Sequence, residues 1–447
     1  MNYQQLAKKI VQRALKRGAK QAEAFLQVGR SADVRVRDGE IEDLTQATSK
    51  GVGIRVFVKQ RQGFVWTSDF EPGALDALVD RAIAIAQMSA PNPLNGLPDA
   101  RDLGRFPDVG ELFDPRVAGL PPDWKIKAAI EMEKVVRAHD ARIKTIESVG
   151  AGESVSEVYL ASSAGVTGSY EGTSVYLYAS PVATDGTQLQ TSYWYDARRF
   201  FEDLASPEEV AKKAAARAVR LLGAKKVKSQ KVPVVFDPSM AASFVASVAG
   251  AANGDLVYKK STFLASKLGE RIAPAHVSIV DDGLRKRGLG TSPFDGEGVP
   301  TRRTPLVENG VLKAFLYDAF TARKAKTKTT GNAARGYRSL PAIGVNNLVL
   351  EPGTRAPEAI IREIPNGLYV TAMLGHGANV VTGEYSRGAN GLWIENGELK
   401  QPVQEITVAG NLTDMLQQLD AVGSDLTFHG STGAPTIRFR ELTVSGE

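Results

Sequence analysis

With 447 residues the chain exceeds one ordinary core, and its 43% hydrophobic and 23% charged residues are the mixture of a globular protein, not of a disordered one. The absence of cysteine excludes disulfides, iron–sulfur clusters and thiolate metal ligands. The formal net charge is +5, the start MNYQQLAKKIVQRALKRG lacks the apolar core of a secretory signal, and no apolar run approaches the roughly 18 residues that span a bilayer, so a cytoplasmic protein without membrane contact is expected.

Leu6, Ile10, Ala14 and Leu15 recur at helical spacing and Gly18 follows as a stop, which predicts an opening amphipathic helix. Two-residue alternation in AFLQV (24–28), DVRVR (33–37) and VGIRVFV (52–58) predicts strands, with Asp38-Gly39 as a tight turn. A second helix is expected over 74–90, then a connection broken by Pro91, Pro93, Pro98, Pro107 and Pro115. The same order returns as a helix over 123–138, a β-meander over 144–194 and a helix over 207–222. Ser206 and Glu209 form a capping box for the last of these, and Gly223 ends it.

The basic stretch KKVKSQK (225–231) marks a boundary. Beyond it VPVVF (232–236) reads as a buried strand, Ser239 as the cap of a small-residue helix over 240–252, and Asn309-Gly310 and Asn396-Gly397 as hairpin turns. A late helix is expected over 411–422. The fold class that follows is α+β. An N-terminal α/β domain over 1–228 contains helix–meander–helix units at 1–90 and 123–224 as a loose repeat, and a sheet-dominated, mainly antiparallel domain covers 229–447.

Few residues suggest chemistry. The four histidines, His139, His276, His376 and His429, are scattered, and none forms an i, i+4 pair. A catalytic zinc wants three protein ligands, so the fold would have to gather groups such as His376, Glu384 and His429. Asp281-Asp282 reads as a polar turn. Asp295 and Glu297 lie among glycines and read as shaping a sheet edge or cavity. GLGTSPFDGEG (288–298) lacks the Gly-Lys-Ser/Thr ending of a phosphate-binding loop, and no G-x-S-x-G elbow introduces a helix. Between Arg285 and Arg338, 12 Lys and Arg stand against 4 acids, a field that suits an acidic peptide or nucleic acid but reads first as a solvated face. Nucleic-acid binding is not expected, because alternation in a hairpin explains the nearby Phe315 and Tyr317 as core.

The segments SPFDGEGVPTRRTPLVENGVLKAFLYD (292–318), TGNAARGYRSLP (330–341), TGEYSRGANGLWIENGELKQPV (382–403) and PTIRFRELTVSG (435–446) resemble, in order, the C-terminal domain of the TldD/PmbA family. The resemblance implies a two-domain α+β protein related to a zinc peptidase. In the TldD-type subunit the helix after the first strand of this domain carries His-Glu-x-x-x-His, and a cysteine near the C-terminus completes the site. Here the corresponding helix reads MAASFVASVAGAA (240–252) and the late segment LTFHGSTGAPT (426–436), with none of those ligands.

The pattern is similar to the TldE/PmbA-type branch. It implies a non-catalytic subunit with no catalytic or metal-ligating residue and no bound cofactor, zinc being expected in a TldD-type partner. The implied ligands are that partner and unfolded or small modified peptides, and in isolation the chain could pair as a homodimer. Arg302, Arg303, His376 and Glu384 are the candidate residues for a substrate cavity or interface. The rival readings are a stand-alone hydrolase with an unrecognised site and a regulator associated with DNA gyrase or DNA.

Overall fold

The structure is a computed structural model that describes residues 1–375 and 377–446. The opening helix, α1 (Tyr3–Lys16), is capped by the Asn2 side chain and buries Ala7, Ile10, Val11 and Ala14. Val11 therefore takes the place expected for Leu15, which is exposed. The two short strands expected next are one continuous strand, β1 (Gln21–Arg37). It is followed by β2 (Glu40–Val58), β3 (Arg61–Thr67) and α2 (Pro72–Met88). After the proline-rich connection come the short α3 (Pro115–Ala118) and α4 (Pro122–His139). The second meander contains β4 (Ile143–Ser162), β5 (Thr167–Thr184), β6 (Leu189–Thr191) and β7 (Trp194–Arg198), and closes on α5 (Pro207–Val219). The capping box at Ser206 and Glu209 is present.

Both units of the repeat share one antiparallel sheet, ordered β3-β2-β1-β4-β5-β6, with β7 also on β5. The join is the β1–β4 pairing. Side chains alternate across a strand, so the even-numbered residues of β1 define one face. Ala22, Ala24 and Leu26 pack under α1 and α2, and Val34 and Val36 pack under α4 and α5. All four helices thus cover one face. The opposite face presents Phe25 and Leu160, which pack with Phe294 and Tyr337 of the second half of the chain.

That second half begins with β8 (Gln230–Phe236) and α6 (Pro238–Ala251). It contains two six-stranded sheets. One is ordered 398–411, 384–395, 366–374, β8, 437–445, 419–422, and the other 311–312, 303–308, 279–282, 348–350, 432–434, 427–429. Among the described residues of these sheets only β8 with 366–374 and 348–350 with 432–434 run parallel. Phe236, Phe244, Val248, Leu350 and Phe439 belong to one core in which α6 is held between these sheets.

Three local expectations need correction. Asp237, not Ser239, caps α6: its carboxylate accepts from Met240 N at 3.0 Å and from the Ser239 hydroxyl at 2.6 Å. A carboxylate before a first-turn proline suits the orphan N–H groups and the dipole better than a hydroxyl two positions later. The late helix covers only Leu412–Gln418, and Leu419–Val422 leaves it to pair with Ile437–Ser445. A neighbouring strand edge there outcompetes helical propensity. Asp281 and Asp282 belong to the strand Ile279–Asp282 instead of a turn, because buried Asn332 and half-buried Asn346 donate to Asp281 at 2.6 and 2.8 Å.

Candidate functional site

Helix α6 directly follows the first strand of the C-terminal half, the position at which the TldD-type pattern carries its zinc ligands. Ala241, Ala242, Phe244, Val245, Val248 and Ala249 are buried. The less buried face carries Ser243, Ala246, Ser247 and Gly250. Ser243 accepts from Arg387 at 3.1 Å, and the Ser247 hydroxyl donates back to the Ser243 carbonyl at 3.0 Å. No atom on that face is a usual zinc ligand.

His429, in the strand Thr427–His429, has an Nε2 without a hydrogen-bond partner. Its ring stands edge-on to Trp194 at 5.4 Å and to Tyr195 at 5.7 Å. Burial holds its pKa below the ordinary value; Asp237 opposes this, whereas Arg217, Lys213 and Arg198 reinforce it. Among the described residues no three His, Cys, Asp or Glu side chains gather as a metal group. One imidazole amid aromatic rings and cations does not fit a zinc site, so no chemistry is routed through a metal held by these residues.

The strongest electrostatic feature lies instead at the seam between the first sheet and the C-terminal half. Glu23 and Arg55 face each other across β1 and β2. Arg55 pairs with Glu23 and with Glu297, both at 2.8 Å, and Arg335 also pairs with Glu23. Burial opposes the ionisation of Glu23, but Arg55 and Arg335 outweigh it and hold its carboxyl below the usual range. Glu297 is raised by burial, despite Arg55, with Asp318 and Glu23 adding to the rise. Its second oxygen accepts from Ala319 N at 2.8 Å. This arrangement ties the two halves to each other through side chains that are almost wholly buried.

Asp295 belongs to the same seam. It accepts from the backbone N–H groups of Glu297, Val299 and Ala333, yet burial and then the neighbouring Glu297 push its pKa up to about 7. The folded chain therefore keeps a proton that the unfolded chain releases near its ordinary value of 3.8. The associated stability is fully present below that value and is lost as pH rises through about 7, by roughly 4 kcal/mol in all. Urea unfolding of wild type and Asp295→Asn at pH 5 and pH 8 checks this. The wild type should lose more stability between the two, and parallel losses would contradict the assignment.

Arg302 and Arg303 lie at the start of the strand Arg303–Glu308, where Arg303 is exposed and pairs with Glu351 at 2.5 Å. Glu384 opens a strand of the other C-terminal sheet, is exposed, and accepts from the Thr382 hydroxyl at 3.2 Å. Among the described residues no hydrogen bond or ion pair joins Arg302, Arg303 and Glu384, and His376 lies outside the described residues. The basic stretch from Arg285 to Arg338 is not one solvated face. Arg335 is buried in the seam, Arg323 binds the Leu94 carbonyl at 2.7 Å in the proline-rich connection, and Lys324 pairs with Asp255 at 3.0 Å.

Sequence reasoning missed Glu23 and Arg55. The available signal was a charged residue inside an otherwise apolar alternating run, in QAEAFL and VGIRVFV.

Three family models match the chain: PmbA/TldA metallopeptidase domain 1 over residues 22–86, the central domain over 115–222, and the C-terminal domain over 229–446. The chain is similar to Metalloprotease PmbA of Escherichia coli O157:H7, with 32% identity over 416 residues covering 93% of this chain and 90% of the relative. It is also similar to the Metalloprotease PmbA homolog of Haemophilus influenzae, with 33% identity over 440 residues covering 98% and 94%. Among solved structures, a Thermotoga maritima protein described as a modulator of a DNA gyrase superposes with a TM-score of 0.90 at 29% identity, covering 99% of this chain and 100% of that one. TldE from Thermococcus kodakarensis superposes with a TM-score of 0.89 at 26% identity, covering 98% and 99%. No helix among the described residues is long and apolar enough to cross a membrane.

Proposed function

The chain belongs to the PmbA/TldD metallopeptidase family, and from that premise we propose that it is the non-catalytic, TldE-type subunit of a cytoplasmic peptidase complex. Its partner is a TldD-type chain that holds the zinc, and the substrates of the pair are unfolded or small modified peptides. The observation that carries this reading is the outer face of α6. Where a TldD-type subunit carries zinc ligands and a general base, Ser243, Ala246, Ser247 and Gly250 offer neither.

Co-expression of the tagged chain with a zinc-motif homologue from the same genome tests the pairing. A complex stable to gel filtration is expected, with an interface on the order of 2,000 Å² or more. Recovery of the chain only as monomer or homodimer overturns the reading. In a peptide-cleavage assay the complex should show chelator-sensitive turnover and the chain alone none. Chelator-sensitive turnover by the chain alone establishes a stand-alone hydrolase instead.

A further inference from the structure

A groove runs along the other part of the seam, where β7 and α5 meet the strand Thr427–His429. A cavity of about 300 Å³ lined by Arg198, Arg285, Lys286 and Phe428 leads into one of about 740 Å³, which shares Arg198 and Phe428 and adds Trp194, Tyr195 and Lys213. A third, of about 340 Å³, shares Trp194, Lys213 and Thr427 and ends at Arg220 and Tyr369. Arg199 holds the wall of the groove in place, donating to the carbonyls of Gly288 at 2.7 Å and Leu289 at 2.9 Å.

The charge along the groove is unbalanced. Eight Lys and Arg line it against five Asp and Glu, and the acids are already engaged. Asp203 pairs with Arg287, Asp196 with Arg198 and Asp237 with Arg217, Glu209 completes the α5 capping box, and Asp425 accepts from Thr436. Arg285, Lys286, Lys213 and Arg220 form no ion pair among the described residues. Burial lowers the pKa of Lys213, Arg220 and Arg285, so these sites hold cations at a cost that an incoming anion offsets.

The main chain on both sides is also open. Among the described residues β7 pairs only with β5, and Thr427–His429 only with Thr432–Ala434, so each strand has a free edge, and both strands line the groove. An extended peptide matches such an edge through its backbone. Single-stranded nucleic acid fits less well, because it needs free aromatic faces. Here Lys213 already sits 3.7 Å from the Trp194 ring centre, and Arg285 4.2 Å from that of Phe428.

We infer that this groove binds an extended acidic peptide segment, whose carboxylates pair with Arg285, Lys286 and Lys213 while its backbone adds to a free strand edge. The inference deepens the reading of the chain as a peptide-handling subunit and rests on it.

Fluorescence anisotropy on the full chain provides the test, with unstructured probes of alternating Glu and Ser, alternating Lys and Ser, or Gly and Ser alone. The Glu probe should bind in a salt-sensitive way and the other two weakly. Lys213→Ala, Arg285→Ala and Lys286→Ala combined should weaken it at least about tenfold. N-methylation of alternate peptide bonds in the probe should weaken binding by a similar factor without altering the protein, which separates edge pairing from any loss of fold in the variant. Equal affinity for the Lys probe, no loss in the triple variant, no effect of N-methylation, or tighter binding of oligo-dT in competition would each overturn the inference. Pairing of the same wild-type preparation with the zinc-motif homologue is scored separately. A chain that pairs but ignores the Glu probe rejects the groove alone, and a chain that binds the probe but does not pair rejects the subunit reading.

Discussion

Arg55→Ala should destabilise the folded chain by about 3–5 kcal/mol, because it strips the shared cation from two carboxylates that have no route to water. Arg55 bridges Glu23 and Glu297 at 2.8 Å, with side chains 5%, 0% and 1% exposed. Without it, Arg335 alone faces Glu23, and Glu297 is left beside Asp295 and Asp318, both of which repel it or are repelled by it. The loss comes from stranded charge more than from a missing attraction. Arg55→Met combined with Glu297→Gln, which leaves Glu23 paired with Arg335, should therefore cost much less than the single substitution. Urea unfolding at neutral pH measures both. A single variant within about 1 kcal/mol of wild type would show that water or rearrangement solvates the seam.

Phe294→Ala should cost a comparable 3–5 kcal/mol, this time through a cavity. The Phe294 ring is 1% exposed and lies 4.7 Å from Phe106 and 5.2 Å from Tyr170, ring centre to ring centre. Gly168 completes the fit, since a Cβ there would meet both the Phe106 and Phe294 rings at 2.6 Å. The site unites the proline-rich connection, the uncovered face of the first sheet and the C-terminal half. Thermal unfolding followed by tryptophan fluorescence and by circular dichroism should shift together. A loss below about 1 kcal/mol, or transitions that separate while the C-terminal one stays at the wild-type temperature, would mean that this contact does not hold the halves together.

Much of the local architecture was legible in the chain. Ser206 and Glu209 marked α5 because a capping box satisfies two orphan N–H groups with neighbouring residues, and both hairpins at Asn309-Gly310 and Asn396-Gly397 formed at turns whose residues sit at positive φ. These features are local, so a short window contains their cause. The errors fell where a distant partner intervened. Leu419–Val422 left its helix for the edge of Ile437–Ser445, and Asp281 was drawn into a strand whose carboxylate is satisfied by Asn332 and Asn346, some fifty residues away or more.

That α6 carries none of the usual zinc ligands follows from composition alone, because a helix written MAASFVASVAGAA contains no His, Cys, Asp or Glu. Pairing Glu23 with Arg55, Arg335 and Glu297 required the folded chain, as did opening a groove between β7 and Thr427–His429. The difference is one of range. An absent ligand is a property of a residue, whereas a buried ion pair or a free strand edge exists only once segments hundreds of positions apart have been packed side by side and water has been expelled between them.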